Sequence, residues 1–421
     1  MIKTLMTRVV ALLGGVLLTL QPAQDANAAT RAIDNPSGAT LLLPYFEADL
    51  SNPNGPQTIL QLENTSATAV LANVTLWTDL GIPTQNFTLY FVGYDNLTLD
   101  LRLLFKNGTV PVTASAGQDP TNLISPRGPI SQDINFASCS GTLPPAPLPA
   151  ATLTGLRAAH TGQASGLFGN QCVASPRADS IARGYITIDA VNQCTTSNPT
   201  SPGYNAILTL QPVFSGSFVR LSRGPGADFS EFGGHLVAVE SPFTADGTSG
   251  PNFTAGDRTF YGSYNALSAG DQREPLGSVW SARYVNGGAL ATQTSLVVWR
   301  DPGSTVMPFA CGGALPAPFP LTVASGGVAA FDEQESVVIA TASNQFPLAT
   351  QRVPVSSLTS NTFGWLYLNL NRPAGPGATQ SWVQVEQNVT GRFSSSFPAA
   401  VLESTASLQG CTAPCGLLLN N

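Results

Sequence analysis

In Asn96-Leu97-Thr98-Leu99-Asp100-Leu101-Arg102-Leu103, apolar and polar side chains alternate without a fault. A period of two is the pattern of a strand with one face buried and one wet, because successive side chains leave a strand on opposite sides. A strand is therefore predicted over 96–103. Val70, Ala72, Val74 and Leu76 alternate with Asn73 and Thr75 in the same way. Thr58–Glu63 is another short run, closed by the turn formers Asn64-Thr65-Ser66, and Phe87–Tyr94 is β-rich with aromatics on both faces. Strands separated by polar turns every 8–12 residues or so predict an antiparallel β-sandwich, and 29–118 reads as an immunoglobulin-like domain.

The next stretch changes character. Leu143-Pro144-Pro145-Ala146-Pro147-Leu148-Pro149 is poor in backbone donors and resists regular structure. A short helix is expected over Ala151–His160, with Leu153 and Leu156 on one side, and 119–180 reads as a loop-rich, disulfide-stapled insertion. Strand patterns return at 184–189, 205–211, 217–221 and 235–240. Surface loops are expected between Phe243 and Arg273, so 181–289 reads as a β-rich middle region with long loops. In the last third the best runs are 295–300, 327–331, 336–341, 364–370 and 381–386. Leu366, Leu368 and Leu370 face one way there, and Trp365 and Tyr367 the other. A second sandwich is expected over 290–421, making the fold class all-β with two sandwich domains.

Charge is scarce. The 18 Lys+Arg and 25 Asp+Glu make 10% of 421 residues, where an ordinary domain has roughly 25%. Lys3 and Lys106 are the only lysines. The 43% apolar content and the small net charge of −7 argue against disorder, and the lack of a basic patch argues against a nucleic-acid partner. Weak charge also leaves edge strands little of the protection that lysine usually gives, so prolines, disulfides, long loops or a partner chain should cover them.

Residues 1–28 read as a secretory signal peptide. Lys3 and Arg8 precede an apolar stretch, Val9–Leu20, too short to span a bilayer, and Ala26-Asn27-Ala28 offers a cleavage site. No later segment has the length of a transmembrane helix. In an exported chain the six cysteines, Cys139, Cys172, Cys194, Cys311, Cys411 and Cys415, read as disulfides. A local Cys139–Cys172 bridge is the preferred expectation.

Several strings occur together: Leu42-Leu43-Pro44-Tyr45-Phe46-Glu47, Leu76-Trp77-Thr78-Asp79, Ser131-Gln132-Asp133-Ile134, Ala182-Arg183-Gly184-Tyr185-Ile186-Thr187, Val297-Val298-Trp299-Arg300-Asp301 and Phe363-Gly364-Trp365-Leu366-Tyr367. Through them the chain resembles a group of exported bacterial proteins with no established activity. That resemblance implies an envelope or extracellular location and brings no catalytic residues.

A search for chemistry finds little. Only His160 and His235 could act as a proton shuttle, and neither lies in a recognisable constellation, so both read as structural or solvated. G-x-S-x-G, H-E-x-x-H, P-loop and Rossmann patterns are absent from the sequence. Asp332-Glu333-Gln334-Glu335 reads as a solubilising turn. In the loop 47–55, Glu47, Asp49, Asn52 and Asn54 offer the hard oxygens that calcium takes, without EF-hand spacing, and the alternative is an ordinary Asn-Pro-Asn-Gly turn. No other cofactor is expected. Trp365 and Tyr367, sharing one strand face, would suit a carbohydrate or protein partner if exposed. The expected function is a non-enzymatic exported protein with a structural, adhesive or binding role. The alternative is a secreted hydrolase of polysaccharide or peptide that assembles carboxylates from separate loops.

Overall fold

The structure, a computed structural model, describes residues 37–111, 136–139, 142–143, 146–223, 229–239, 260–261, 273, 275–302, 306–312, 315, 327–339, 346–371, 379–389 and 393–404. Cys411, Cys415 and the signal-like segment 1–28 lie outside the described residues. Among those described, eighteen strands form three antiparallel sheets, and the α-helical content is two short helices.

The first sheet contains β1 (Thr40–Asp49), β2 (Gln57–Asn64), β3 (Val70–Trp77), β4 (Pro83–Phe91), β5 (Asn96–Asp100), β6 (Ile181–Val191), β7 (Phe214–Arg223), β8 (Phe229–His235) and β9 (Val237–Val239). Its order is β4-β3-β6-β1-β2-β7-β8, with β5 on β2 and β9 on β1. Strand β6 follows the long excursion yet inserts between β1 and β3, with Leu41 opposite Ile188 and Val74 opposite the same Ile188. The second sheet holds β10 (Gly277–Val285), β12 (Val328–Phe331), β13 (Val337–Ile339), β15 (Phe363–Asn369) and β18 (Ala400–Ser404), in the order β13-β12-β15-β10-β18. The third holds β11 (Thr292–Arg300), β14 (Thr350–Pro354), β16 (Ser381–Val389) and β17 (Phe393–Pro398), in the order β14-β11-β16-β17.

The expected alternation of buried and wet faces fails at the centre of the first sheet. On one face, Leu41, Leu43, Leu60, Val74, Ile186 and Ile188 pack with side chains of helices α1 (Leu101–Asn107) and α2 (Ala150–His160): Leu101, Leu104, Phe105 and Leu156. On the other face, Leu42, Trp77, Tyr185 and Val239 share a core with Trp280, Leu296, Val298, Leu366, Leu368 and Val383 of the second and third sheets. Strands β1, β3 and β6 are thus covered on both sides, as their near-continuous burial records. Polar residues that alternation would leave wet are enclosed, and their hydrogen bonds must be made inside.

The predicted strand over 96–103 stops at Asp100. There the Asp100 carboxylate accepts the N–H groups of Arg102 and Leu103 and caps α1, whose buried residues Leu101, Leu104 and Phe105 follow helical spacing. The Arg102 guanidinium turns back onto the carbonyls of Pro53, Gly55 and Pro56. Gly108 ends the helix at φ 69°, a conformation that suits glycine. The helix expected at 151–160 is α2. The strand expected at 205–211 is instead a single 3₁₀ turn, Tyr204–Ile207, opened by Gly203 at φ 77°. Within the expected surface loops of 243–273, Phe260, Tyr261 and Arg273 are buried; the remainder of that stretch lies outside the described residues.

The local Cys139–Cys172 bridge is not made. Cys139 pairs with Cys194, just beyond β6, and Cys172 pairs with Cys311 in the C-terminal third. Proximity in sequence was the wrong guide. Backbone bonds between Cys172 and Phe309 already hold those two segments together, and the bridge follows that pairing. No helix among the described residues is long and apolar enough to cross a membrane.

Candidate functional site

Among the described residues, a cluster of charged side chains lies where the first sheet meets the third. Glu47 on β1 is the register partner of Arg183 on β6. Its Oε1 accepts the Tyr45 hydroxyl at 2.9 Å and Arg183 Nε at 3.3 Å, and Oε2 lies 3.6 Å from Arg220 Nε on β7. Arg183 also grips Asp179 through two bonds, at 2.8 and 2.9 Å. Arg220 crosses to the third sheet, where its Nη2 donates to both oxygens of Glu386 on β16, at 2.6 and 2.5 Å. Arg352 on β14 closes the cluster with Nε 2.8 Å from Glu386 Oε2. The Arg220 guanidinium lies over the rings of Tyr45 and Phe232, at 5.4 and 5.2 Å, and that of Arg352 also lies over Phe232, at 5.6 Å.

Burial alone would raise the Glu47 pKa, but Arg220 and Arg183 outweigh it and hold the carboxyl below its ordinary range. Burial, reinforced by the Glu47 charge, pushes the Tyr45 phenol far upward, so it stays a neutral donor. The cluster therefore fixes ion pairs across a joint between sheets.

A second enclosed site centres on Asp189 of β6, which sits in register with Thr40 and Asn73. Its carboxylate accepts from Thr40 at 2.5 Å, Tyr204 at 2.7 Å, Tyr261 at 2.9 Å and Arg273 at 3.0 Å. Asn73 in turn donates to the Tyr204 oxygen, and Arg273 stacks on Tyr261 at 4.2 Å. Full burial raises the Asp189 pKa against the pull of Arg273 and the hydroxyl donors. Asp79 is likewise raised by burial, opposed by the Ser175 N–H and Arg177.

The loop residues considered for calcium are divided. Glu47 belongs to the arginine cluster. Asp49 Oδ1 accepts the Ser51 N–H, the Ser51 hydroxyl and the Asn52 N–H, and Asn52 Oδ1 accepts the Asn54 N–H, so these three build a turn. Among the described residues no three His, Cys, Asp or Glu side chains converge at metal-binding distance. His160 is buried, with Nδ1 2.8 Å from the Arg183 carbonyl and Nε2 2.8 Å from the Thr84 hydroxyl, and His235 is exposed. In the acidic turn, Asp332 accepts the N–H groups of Gln334 and Ser336, while Glu333 pairs with Arg283 at 2.7 Å. Trp365 and Tyr367 do share a face, opposite Leu366 and Leu368, and join Val279, Ala329 and Phe331 in a small outer cluster.

Sequence reasoning missed Arg183, Asp189, Arg220, Arg273 and Glu386. A usable signal existed for three of them. Arg183 and Asp189 interrupt the apolar run of β6, and Glu386 ends the apolar run of β16, in a chain where charge is scarce. Comparison with family models, with curated proteins and with solved structures found no match to this chain. The geometry defines its class: an antiparallel β-sheet protein, linked by two disulfides among the described residues, with arginine–carboxylate clusters enclosed between sheets.

Proposed function

We propose that this is an exported, non-enzymatic β-sandwich protein with a structural, adhesive or binding role at the bacterial envelope or outside the cell. We read the scaffold as two immunoglobulin-like sandwiches, the C-terminal one built from the second and third sheets, whose apolar core also takes in Leu42, Trp77, Tyr185 and Val239 of the first. The observation that carries the functional reading is how the titratable groups are used. Glu47, Glu386, Asp189, Asp79 and His160 are each held by named partners inside the fold, in arrangements that fix sheets to one another. A group so held stabilises a scaffold, whereas a catalytic acid or base must be free to exchange protons with a substrate. The signal-like segment, the two disulfides and the resemblance to exported bacterial proteins support the location.

The test has two parts. Expressed with its N-terminus intact in a bacterial host, the protein should be recovered outside the cytoplasm with Ala29 as its first residue. The same material should be inert toward a broad panel of glycoside, ester and peptide substrates. Recovery from the cytoplasm with Met1 retained would sink the location. Robust turnover, abolished by replacing one carboxylate, would sink the non-enzymatic role and favour a hydrolase.

A further inference from the structure

An open strand edge invites pairing with another strand, and lysine is the commonest guard against it. This chain has almost none, and the structure shows how most edges are guarded instead. At β4, the Asn86 and Thr88 side chains bond to carbonyls of Thr195 and Ser197. Strands β8 and β17 face each other, and the Ser394 and Ser396 hydroxyls bond to the backbone N–H and C=O groups of Glu231 and Gly233. Strand β14 ends in Pro354, and its Thr350 N–H is taken by the Asp79 carbonyl. Strand β18 pairs with β10 through two register irregularities, a feature that discourages further pairing.

Among the described residues, strand β13 has none of these guards. It reads Val-Val-Ile, without charge or proline, and pairs with β12 in unbroken register. Among the described residues its backbone has no partner beyond β12. Val337 and Val338 leave the strand on opposite faces and are 48% and 46% exposed. Val338 is the register partner of the core residue Ala330, so the core ends one strand short of the sheet.

We propose that β13 is a self-association edge, at which two copies of this chain pair antiparallel about a two-fold axis and join their five-stranded sheets into one of ten strands. Between two copies, charge selects this orientation. The turn Asp332–Glu335 immediately precedes β13, and antiparallel pairing centred on Val338 sends the two acidic turns to opposite ends. Parallel pairing would set them side by side. The outer face adds to the fit. Arg283, Trp365, Phe331 and Val337 are successive register partners across β10, β15, β12 and β13. The Phe331 and Trp365 rings stack at 3.8 Å, so an apolar row runs up to the open edge. Three residues of pairing make a small interface, and the association is accordingly weak and concentration-dependent.

Light scattering on the mature protein, from micromolar concentration to the solubility limit, should show the mass rising from one chain toward two. A single-chain mass throughout would overturn the proposal. Val338→Lys sets like charges across the axis and should stay a monomer with its melting temperature little changed. Dimerisation equal to that of the parent would place the interface elsewhere. Should the lysine variant not fold, Val338→Cys decides the matter. On mild oxidation it should give a covalent dimer on non-reducing gels, while Leu402→Cys, 51% exposed on the opposite edge strand, should not. No dimer from the Val338 variant, or equal yields from both, would refute the pairing.

Discussion

His160 joins α2 to β6 in a buried setting. The Arg183 carbonyl can only accept, so Nδ1 carries a hydrogen, and Nε2 pairs with the Thr84 hydroxyl. The rings of Phe105 and Phe46 flank it, at 4.9 and 5.7 Å. Burial lowers its pKa to about 4, against the raising effect of the Arg183 bond. The unfolded chain, with an ordinary value of about 6.5, therefore binds the proton first as pH falls. Stability from this group is full above about 6.5 and is lost on descending toward 4, by about 3 kcal/mol in all. Urea midpoints between pH 7 and 5 should show this slope in the parent protein and not in His160→Gln; parallel curves would refute the assignment. Glu386 gives a second prediction. It is fully buried between Arg220 and Arg352, so Glu386→Gln leaves Arg220 enclosed without its main counter-charge. Losses of this kind run to about 3–5 kcal/mol, and chemical denaturation should find the cost in that range. A loss below about 1 kcal/mol would mean that water reaches the joint.

At the scale of elements, alternation located strands well and their ends poorly. The runs at 58–63, 70–76, 184–189, 217–221 and 295–300 fall within observed strands, and that at 364–370 overruns β15 by one residue. The alternation of 96–103 crosses a boundary that two local signals mark: a capping carboxylate at Asp100 and a helix-ending glycine at Gly108. A period of two over eight residues cannot show that its last three follow a helix, because Leu101 is buried under either reading. Asp100→Ala should destabilise α1 by about 0.5–2 kcal/mol and raise amide exchange over 101–107, leaving β2–β5 pairing protected. Uniform exchange across both elements would show that the cap does not define the boundary. Gly364 marks a different limit. At φ 155° a side chain there would collide with the Phe331 carbonyl, a contact made only once β12 and β15 pair.

For the molecule as a whole, the two disulfides close long loops. Cys139–Cys194 spans 55 residues and Cys172–Cys311 spans 139. On chain-entropy grounds each contributes up to about 4–5 kcal/mol by restricting the unfolded chain. Replacing Cys172 and Cys311 together by Ser should lower the denaturant midpoint clearly, and replacing Cys139 and Cys194 slightly less. Equal stability of parent and variants would show that the crosslinks do not constrain the unfolded state. The second bridge also ties the excursion to the C-terminal third, a link that local spacing hid.

Period-two patterning and turn residues determined that this chain is built of antiparallel strands. Local patterning describes one strand and its two faces, and it is blind to what covers them. Only the tertiary structure decided that β1, β3 and β6 are enclosed on both sides, since their second cover comes from sheets formed more than eighty residues after β6. The same long-range packing brought Glu386 to Arg220 and Arg273 to Asp189. Those pairs arise because a charge enclosed between sheets must find its partner there, however far along the chain that partner lies.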